Sequence, residues 1–542
     1  MRVLFQKVVR LDFSNCILFF LASICILPVS AVIITAFGDS NGLINHLFST
    51  VLGRYLGNTL SLMILTALVS LVFGLSSAWV VSRYRFPFRQ SFEWLLILPA
   101  AVPAYIIAFT YTDFFEYSGP LQTLLRQIFG WSSAKDYWFP QIRSLGGAAF
   151  VMGSVLYPYV YVMARTSFSN TSPQLYEAAS LHGRNSFTDV GLPLARPAIV
   201  ASLALVLMEV ISDFGTVEYF AIETLTLGIF NVWLGMNNLT AAAQLSCFAF
   251  FLIILVLVIE RLARSHRAFQ YRSSADQLPK KYLSKKHRVY CILICVFPII
   301  FGFGIPVSVL LNFVFKNYSV LPLENTFVSV FNTVLVASVA ALMGVSISLI
   351  LAVLAKYKSG QLGKTLASFS AFGYAFPGTI LAIGVVYVSS SIDYLWQELG
   401  EFFSFSTGFL FSGSLGVLVL AYFVRFHAIS YGSIQTGLSR VNNHSLEASY
   451  LLGNGFLLSF LRVILPLLRP SITVASLLVF VEIMKELPMT LLLRPFGFET
   501  LATLTYQYAK DELLEQSALP ALLIVLSGLL PVIFLNRILS SK

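Results

Sequence analysis

Apolar residues in this chain gather into long runs. They do not mark one helical face or alternate as along a strand. Twelve runs are long enough to cross a bilayer, near 14–37, 57–82, 92–112, 143–164, 197–217, 241–262, 289–313, 328–355, 366–390, 409–430, 470–492 and 518–537. About 20 apolar residues span the hydrocarbon core as a helix. No water is present there to satisfy backbone N–H and C=O groups, so each run predicts an α-helix. Short polar stretches separate the runs, and the one over 264–287 is long and strongly basic. It divides the runs six and six. The pattern predicts an all-α polytopic membrane protein with about 12 transmembrane helices. Its parts are a six-helix unit over 1–263, a basic cytosolic linker over 264–287 and a second six-helix unit over 288–542.

The two halves share a register. Asn58-Thr59 returns as Asn332-Thr333, and Val102-Pro103-Ala104 as Phe376-Pro377-Gly378, both 274 residues later. Glu209 and Asp213 return as Glu482 and Glu486 at an offset of 273. Between them lies a repeated polar loop. Glu177-Ala178-Ala179, Gly183 and Leu192-Pro193 form the first copy; Glu447-Ala448-Ser449, Gly453 and Leu465-Pro466 form the second. Six runs per half leave both halves running the same way. The repeats are therefore tandem and parallel, related by an axis along the membrane normal. The first loop is three residues shorter between its glycine and its Leu-Pro. Three residues are about 4.5 Å of helix rise, so the two loops should be similar but unequal.

Composition supports lipid as the solvent. The chain is 57% hydrophobic and 11% charged, with a mean hydropathy of +0.81, against about 25% charged residues in a soluble domain. The net charge of +10 is explained by its placement. Arg2, Lys7 and Arg10, then Arg83, Arg85 and Arg89, then Arg261 through Arg288, then Lys356, Lys358 and Lys364 fall in alternate loops. Basic loops stay in the cytosol, which places both termini and both repeated loops there and gives no reason to expect a nucleic-acid partner. The apolar run from Cys16 to Phe37 is too long for a cleaved leader and reads as a retained first helix. Cys16, Cys25, Cys247, Cys291 and Cys295 all sit in apolar runs, where packing is the expected role.

Each repeated loop, over 172–197 and 442–470, predicts a short helix ended by its glycine. A Pro at a permitted early position then restarts the next membrane helix. The product is a knob that fits a groove on a partner. Glu177, Ala178, Ala179, Gly183 and Pro193 would form one knob, and Glu447, Ala448, Gly453 and Pro466 the other. Glu-Ala-Ala, three residues, Gly, then Leu-Pro resembles the signature loop of bacterial ABC importer permeases. That resemblance covers nearly the whole chain and implies two permease units fused in tandem in the bacterial inner membrane. It implies cytosolic coupling helices docked on two copies of an ATPase subunit, and a periplasmic binding protein that delivers the substrate. The two halves would rock in alternating access. ATP and Mg would be held by the ATPase, with no cofactor bound by this chain. Indeed Gly363-Lys364-Thr365 lacks the first glycine of a phosphate-binding loop, since Lys358 stands in its place.

Glu209 and Asp213 share a helix face, as do Glu482 and Glu486, each four residues apart. Carboxylates inside a membrane point to function. Two readings are open. The four could line a central path and contact a hard cation transiently, with no fixed metal site; or they could be structural, solvated or paired, as Lys485 beside Glu486 suggests. The run Met208-Glu209-Val210-Ile211-Ser212-Asp213-Phe214-Gly215-Thr216-Val217 resembles the fused permeases of ferric iron importers. So do Lys485-Glu486-Leu487-Pro488 and Leu493-Arg494-Pro495-Phe496-Gly497-Phe498. Permeases for thiamine, polyamines or phosphonates share the layout and stay open as alternatives, as does an ion-coupled secondary transporter. The six histidines show no metal-ligand spacing that would suggest a membrane enzyme. The segment 113–142, with Trp131, Tyr137 and Trp138, is a candidate outer docking surface or a set of interfacial anchors.

Overall fold

The computed structural model describes residues 13–265, 281–316, 318–403 and 408–540. Arg2, Lys7, Arg10 and most of the basic linker lie outside the described residues. In the first half the helices are α1 Phe13–Ala36, α2 Leu43–Thr50, α3 Leu52–Arg83, α4 Arg89–Leu95, α5 Ala104–Phe115 and α6 Pro120–Phe129. They continue with α7 Leu145–Asn170, α8 Pro173–Leu181, α9 Leu192–Ser212, α10 Gly215–Tyr219, α11 Leu225–Phe230 and α12 Leu239–Ser265. The second half holds α13 Lys285–Ile299, α14 Ile305–Lys316, α15 Leu323–Tyr357, α16 Gln361–Phe369, α17 Gly378–Phe402 and α18 Leu415–Arg440. It ends with α19 Asn443–Leu451, α20 Phe456–Ser459, α21 Leu465–Met484, α22 Pro488–Leu493, α23 Leu501–Lys510 and α24 Leu514–Ser540. A two-residue parallel pairing of Tyr84–Arg85 with Lys281–Tyr282 is the sheet structure among the described residues.

Eleven helical stretches among the described residues are long and apolar enough to cross a membrane. The pair Arg89–Ala101 and Ala104–Phe129, bent by 93°, makes a twelfth if taken as one span. Two expected spans are broken at matched prolines. Pro103 and Pro377 cannot donate a helix bond and force the preceding residue out of the helical region. Val102 (φ −98°, ψ 119°) and Phe376 (φ −99°, ψ 138°) are accordingly extended. The run expected over 92–112 becomes a turn at Leu98–Ala101 followed by α5, and that over 366–390 becomes a turn at Ser370–Ala375 followed by α17. Two more expected spans, 197–217 and 470–492, stop early at Ser212 and Met484, where the chain leaves the helix.

Packing gathers the chain into two compact units whose edges differ from those of the sequence halves. One takes in the described residues of Met1–Ser40, Asn237–Gln244 and Phe327–Thr500; the other takes in Asn41–Met236, Leu245–Thr326 and Leu501–Lys542. The first span of each half has left its own half. Helix α1 packs on α17 of the second half, where Gly384 lies against the Pro28 carbonyl so closely that a Cβ would sit 1.8 Å from it. Leu18 joins the core of that unit with Leu351, Ile434, Ile464 and Leu468. Conversely, Cys291 and Cys295 of α13 are buried in the core of the other unit with Ala78, Tyr157, Tyr161 and Ile199. This is packing of thiols among apolar groups, as their positions in apolar runs predict.

Candidate functional site

The repeated loops fold into helices α8 and α19, and both end in the same way. Gly183 (φ 67°) and Gly453 (φ 80°) take the left-handed conformation just past the helix, which a residue without Cβ adopts freely. Arg184 N–H then donates to Ala179 O at 2.9 Å and Gly183 N–H to Ser180 O at 3.2 Å. Asn454 N–H donates to Ser449 O at 3.2 Å and Gly453 N–H to Tyr450 O at 2.9 Å. These crossed bonds satisfy carbonyls that the helix end would leave unpaired. The motif glycine is therefore a helix stop at both sites.

The length difference falls after that stop. In the second copy Gly455 leads into α20 and then a widened π-type turn at Phe460–Ile464. In the first copy Asn185 caps the π turn at Ser186–Gly191 directly, its side chain accepting Phe187 N–H at 2.9 Å. The missing residues come out of the approach helix, and both copies keep a π turn, of six residues in the first and five in the second. Both π turns stand just before Leu-Pro, and the N–H groups of Leu192 and Leu465 reach back five residues, to Phe187 O and Phe460 O. Pro193 and Pro466 lack a donor and crowd the carbonyl four residues earlier, and the wider turn makes room for them.

Each helix has an anchored side and a free side. Tyr176 and Ala179 of α8 are buried, with the Arg83 guanidinium 4.6 Å from the Tyr176 ring centre and Trp79 packed against that ring. Leu446 and Ser449 take these places in α19. Ser449 replaces the second motif alanine, and its hydroxyl meets Ser459 Oγ of α20 at 2.8 Å, a tie Ala179 cannot make. On the free sides Glu177, Ala178, Glu447 and Ala448 are exposed. So are Leu181 at 87%, Leu451 at 90% and Leu452 at 82%. His444 bonds Glu447 at 3.0 Å on the same exposed surface. An apolar knob left bare on a polar loop is what a docking partner covers.

The four expected path carboxylates divide between the units, one pair in each. Asp213 ends α9 and accepts from Thr216 N–H at 3.0 Å, Val217 N–H at 3.3 Å and Thr216 Oγ1 at 3.1 Å. It thereby caps α10, whose first N–H groups have no water to turn to. Glu486 does the same for α22 by accepting Met489 N–H at 3.2 Å, and it also pairs with Arg425 Nη1 at 2.9 Å. Glu482 pairs with Lys485 at 2.9 Å. Glu209 is half-buried on α9. Asp213, Glu482 and Glu486 thus each hold a partner within their own unit.

Arg425 is the residue that sequence reasoning missed, together with His427. His427 is fully buried, its ring between Ser348 Oγ at 2.8 Å and Ser370 Oγ at 3.0 Å. Register places Gly74, Leu96, Tyr157 and Val155 where the second half has Ser348, Ser370, His427 and Arg425. This polar cluster belongs to one half of the repeat. The signal was present: Tyr422-Phe423-Val424-Arg425-Phe426-His427 puts two ionisable groups inside an apolar run, where each calls for a partner.

The Asn-Thr repeat also has a task. Asn58 Nδ2 donates to Glu223 O and Asn332 Nδ2 to Glu499 O, both at 3.0 Å, pinning the loops that follow α10 and α22. The second loop carries the turn Pro495-Phe496-Gly497, braced by an Arg494–Glu499 ion pair, with Phe496 wholly exposed. In segment 113–142, Trp131 stacks on Phe129 and on Tyr137 at 4.7 and 4.6 Å, and Trp138 is 85% exposed. Asp136 closes a turn there, where the N–H groups of Ser133 and Ser132 hold its carboxyl below the usual carboxylate range. Asp393 is buried in α17 and accepts the N–H groups of Leu410, Phe411 and Ser412. No group of three or more His, Cys, Asp or Glu among the described residues is placed to hold a metal ion.

Many apolar spans and two tandem repeats define a multi-pass membrane protein. Comparison with known families agrees. The profile described as "Binding-protein-dependent transport system inner membrane component" matches residues 70–267 and again 344–542. The chain belongs to this family, as a fused permease of the ABC importer type. It is 24% identical over 502 residues to the Fe(3+)-transport system permease protein FbpB 2 of Haemophilus influenzae, covering 91% of each chain. It is 23% identical over 490 residues to the ferric transport system permease protein FbpB of Actinobacillus pleuropneumoniae, covering 84% of this chain and 68% of that one. A shorter match, 31% over 154 residues, joins 28% of this chain to 52% of the sulfate transport system permease protein CysT of Salmonella typhimurium.

Proposed function

We propose that this chain is the translocation subunit of an importer that takes ferric iron from a periplasmic binding protein and passes it to the cytoplasm. The observation that carries the reading is the pair of glycine-stopped helices, α8 and α19, each with a bare leucine at its tip. Two matched knobs fit two copies of one ATPase subunit, which holds ATP and Mg and lies in the cytosol with both termini of this chain. Iron is favoured because relatives that match most of the chain are named for it. ATP-driven closure of the ATPase pair pulls on the knobs, and the rigid helix stops pass the motion to the membrane spans through the π turns that follow them. Glu209 and Glu482 are the proposed transient contacts for the cation, while Asp213 and Glu486 hold the broken helices behind them.

The test is Leu181→Asp and Leu451→Asp in the full chain. Burying a leucine contributes about 1.5–3 kcal/mol, so each change should weaken the dock at least about tenfold. Less ATPase should co-purify and labelled ferric iron uptake should fall, with membrane insertion normal. Unchanged ATPase recovery and uptake in both variants would refute the docking role. Normal docking without iron uptake by the wild-type system would remove the iron assignment alone.

A further inference from the structure

Helix α6 is amphipathic the wrong way round for water. Two of its polar residues, Gln122 and Arg126, point inward while Gln127 is exposed: Gln122 is 7% exposed, donating to Phe115 O at 2.7 Å and accepting from Tyr137 Oη at 2.6 Å. Arg126 donates to Tyr117 O at 2.8 Å and to Tyr137 Oη at 3.1 Å, and lies 4.1 Å from the Tyr117 ring centre. On the opposite face Leu124 is 52% and Ile128 65% exposed. Water would select the reverse arrangement, whereas hydrocarbon selects this one. Helix α7 starts beside this region at Leu145 and ends at Asn170, just before α8. Its 26 residues amount to about 39 Å of rise, a membrane's thickness away from the α8 knob. Helix α6 therefore lies in the leaflet opposite α8, and the bare Trp138 beside it suits the interface.

Behind α6 are two adjoining cavities. One, of about 390 Å³, is apolar, with Phe115, Phe139, Ile142, Phe150 and Phe301 on its walls. The other, of about 620 Å³, shares Phe115 and Phe139 and adds Glu116, Gln122, Tyr137 and Arg143. Arg143 and Glu116 are paired at 2.8 Å but each is about two-fifths exposed, so both keep bonding capacity for a ligand. We propose that these two chambers form a binding site for one phospholipid of the outer leaflet with an amine headgroup. Arg143 takes the phosphate, Glu116 takes the ammonium, and the apolar chamber takes part of one acyl chain. The order of polar and apolar chambers matches the order of parts in the lipid, and Gln122 of α6 lines the polar one. The inference rests on the membrane reading and is independent of the identity of the transported solute.

Gly146 lines the apolar chamber, and a Cβ there would meet nothing nearer than Ser144 Oγ at 4.0 Å. Gly146→Leu therefore meets no obstacle at its Cβ and adds apolar bulk at the chamber wall. The test uses the purified full chain in detergent, titrated with palmitoyl-oleoyl-phosphatidylethanolamine and read by native mass spectrometry. Wild type should retain one saturable lipid per chain. Gly146→Leu should weaken it at least about tenfold by filling the space an acyl chain occupies. Arg143→Gln, at a half-exposed site, leaves the fold intact and should lower affinity while reducing preference over a neutral diacylglycerol. Saturable binding unchanged in Gly146→Leu and Arg143→Gln overturns the proposal, as does only non-saturable binding to wild type. Loss of binding-protein stimulation in these variants with lipid binding unchanged would assign the surface to that protein and also overturn it.

Discussion

Arg425 and Glu486 should lose stability singly and recover it together. Their side chains are 10% and 7% exposed and meet at 2.9 Å. The Arg425 Nε has no hydrogen-bond partner among the described residues, so the guanidinium sits with an unmet donor there. Glu486→Gln keeps an acceptor for Met489 N–H but leaves the arginine charge without its counter-charge. Arg425→Met leaves the carboxylate without the guanidinium beside it. Removing one partner of a buried pair costs about 3–5 kcal/mol, while replacing both with groups of similar size is often close to neutral. The double variant Arg425→Met with Glu486→Gln keeps the cap on α22. It should lie within about 1–2 kcal/mol of wild type, nearer than either single variant. Reversible unfolding of the purified chain in mixed micelles, followed by helical content over a sodium dodecyl sulfate series, gives the four corners of the cycle. Single variants as stable as wild type, or a double variant equal to the sum of the singles, would refute the pairing argument.

Two further changes separate shape from chemistry. Gly453→Val forces a β-branched residue into a left-handed turn at a cost of about 1–2 kcal/mol; it should fray the end of α19 and lower ATPase recovery with the spans inserted normally, measurable by amide hydrogen exchange over 443–454. Asp213→Asn should keep the cap on α10 and leave both stability and uptake near wild type, whereas Asp213→Ala should destabilise by about 1–2 kcal/mol; loss of uptake in the stable asparagine variant would show that the charge, not the cap, is what transport needs.

Apolar run length made the number of spans readable because lipid leaves the backbone no alternative to the helix. The helix breaks were legible only in part. Pro103 and Pro377 stood at matched positions, and their effect on the preceding residue is local. The stops at Asp213 and Lys485 depend on a carboxylate turning back to cap the next helix, which spacing alone does not specify. Exchange of α1 and α13 between the halves was invisible, because an apolar helix carries no mark of which neighbour it will meet. Gly183 and Gly453 end their helices as the sequence predicts, since positive φ is a backbone demand that one residue type meets well. Arg425 and His427 stand where the repeats differ, so the register shared by the two halves does not point to them.

The placement of α1 against Gly384 sets an order of events during synthesis. The two contacting stretches are separated by about 350 residues, so at roughly 5–20 residues per second the first helix made waits on the order of 20–70 s for its seat. A soluble protein holding an apolar helix unpartnered for that time would court aggregation. In a bilayer the lipid tails are as apolar as the eventual neighbour, and the wait is nearly without penalty. Leu18, Ala22, Cys25 and Val32, all buried in the finished protein, would first be solvated by lipid and then trade it for protein. A ribosome stalled before α17 emerges should therefore leave a chain whose opening helix is inserted, intact and still unclaimed.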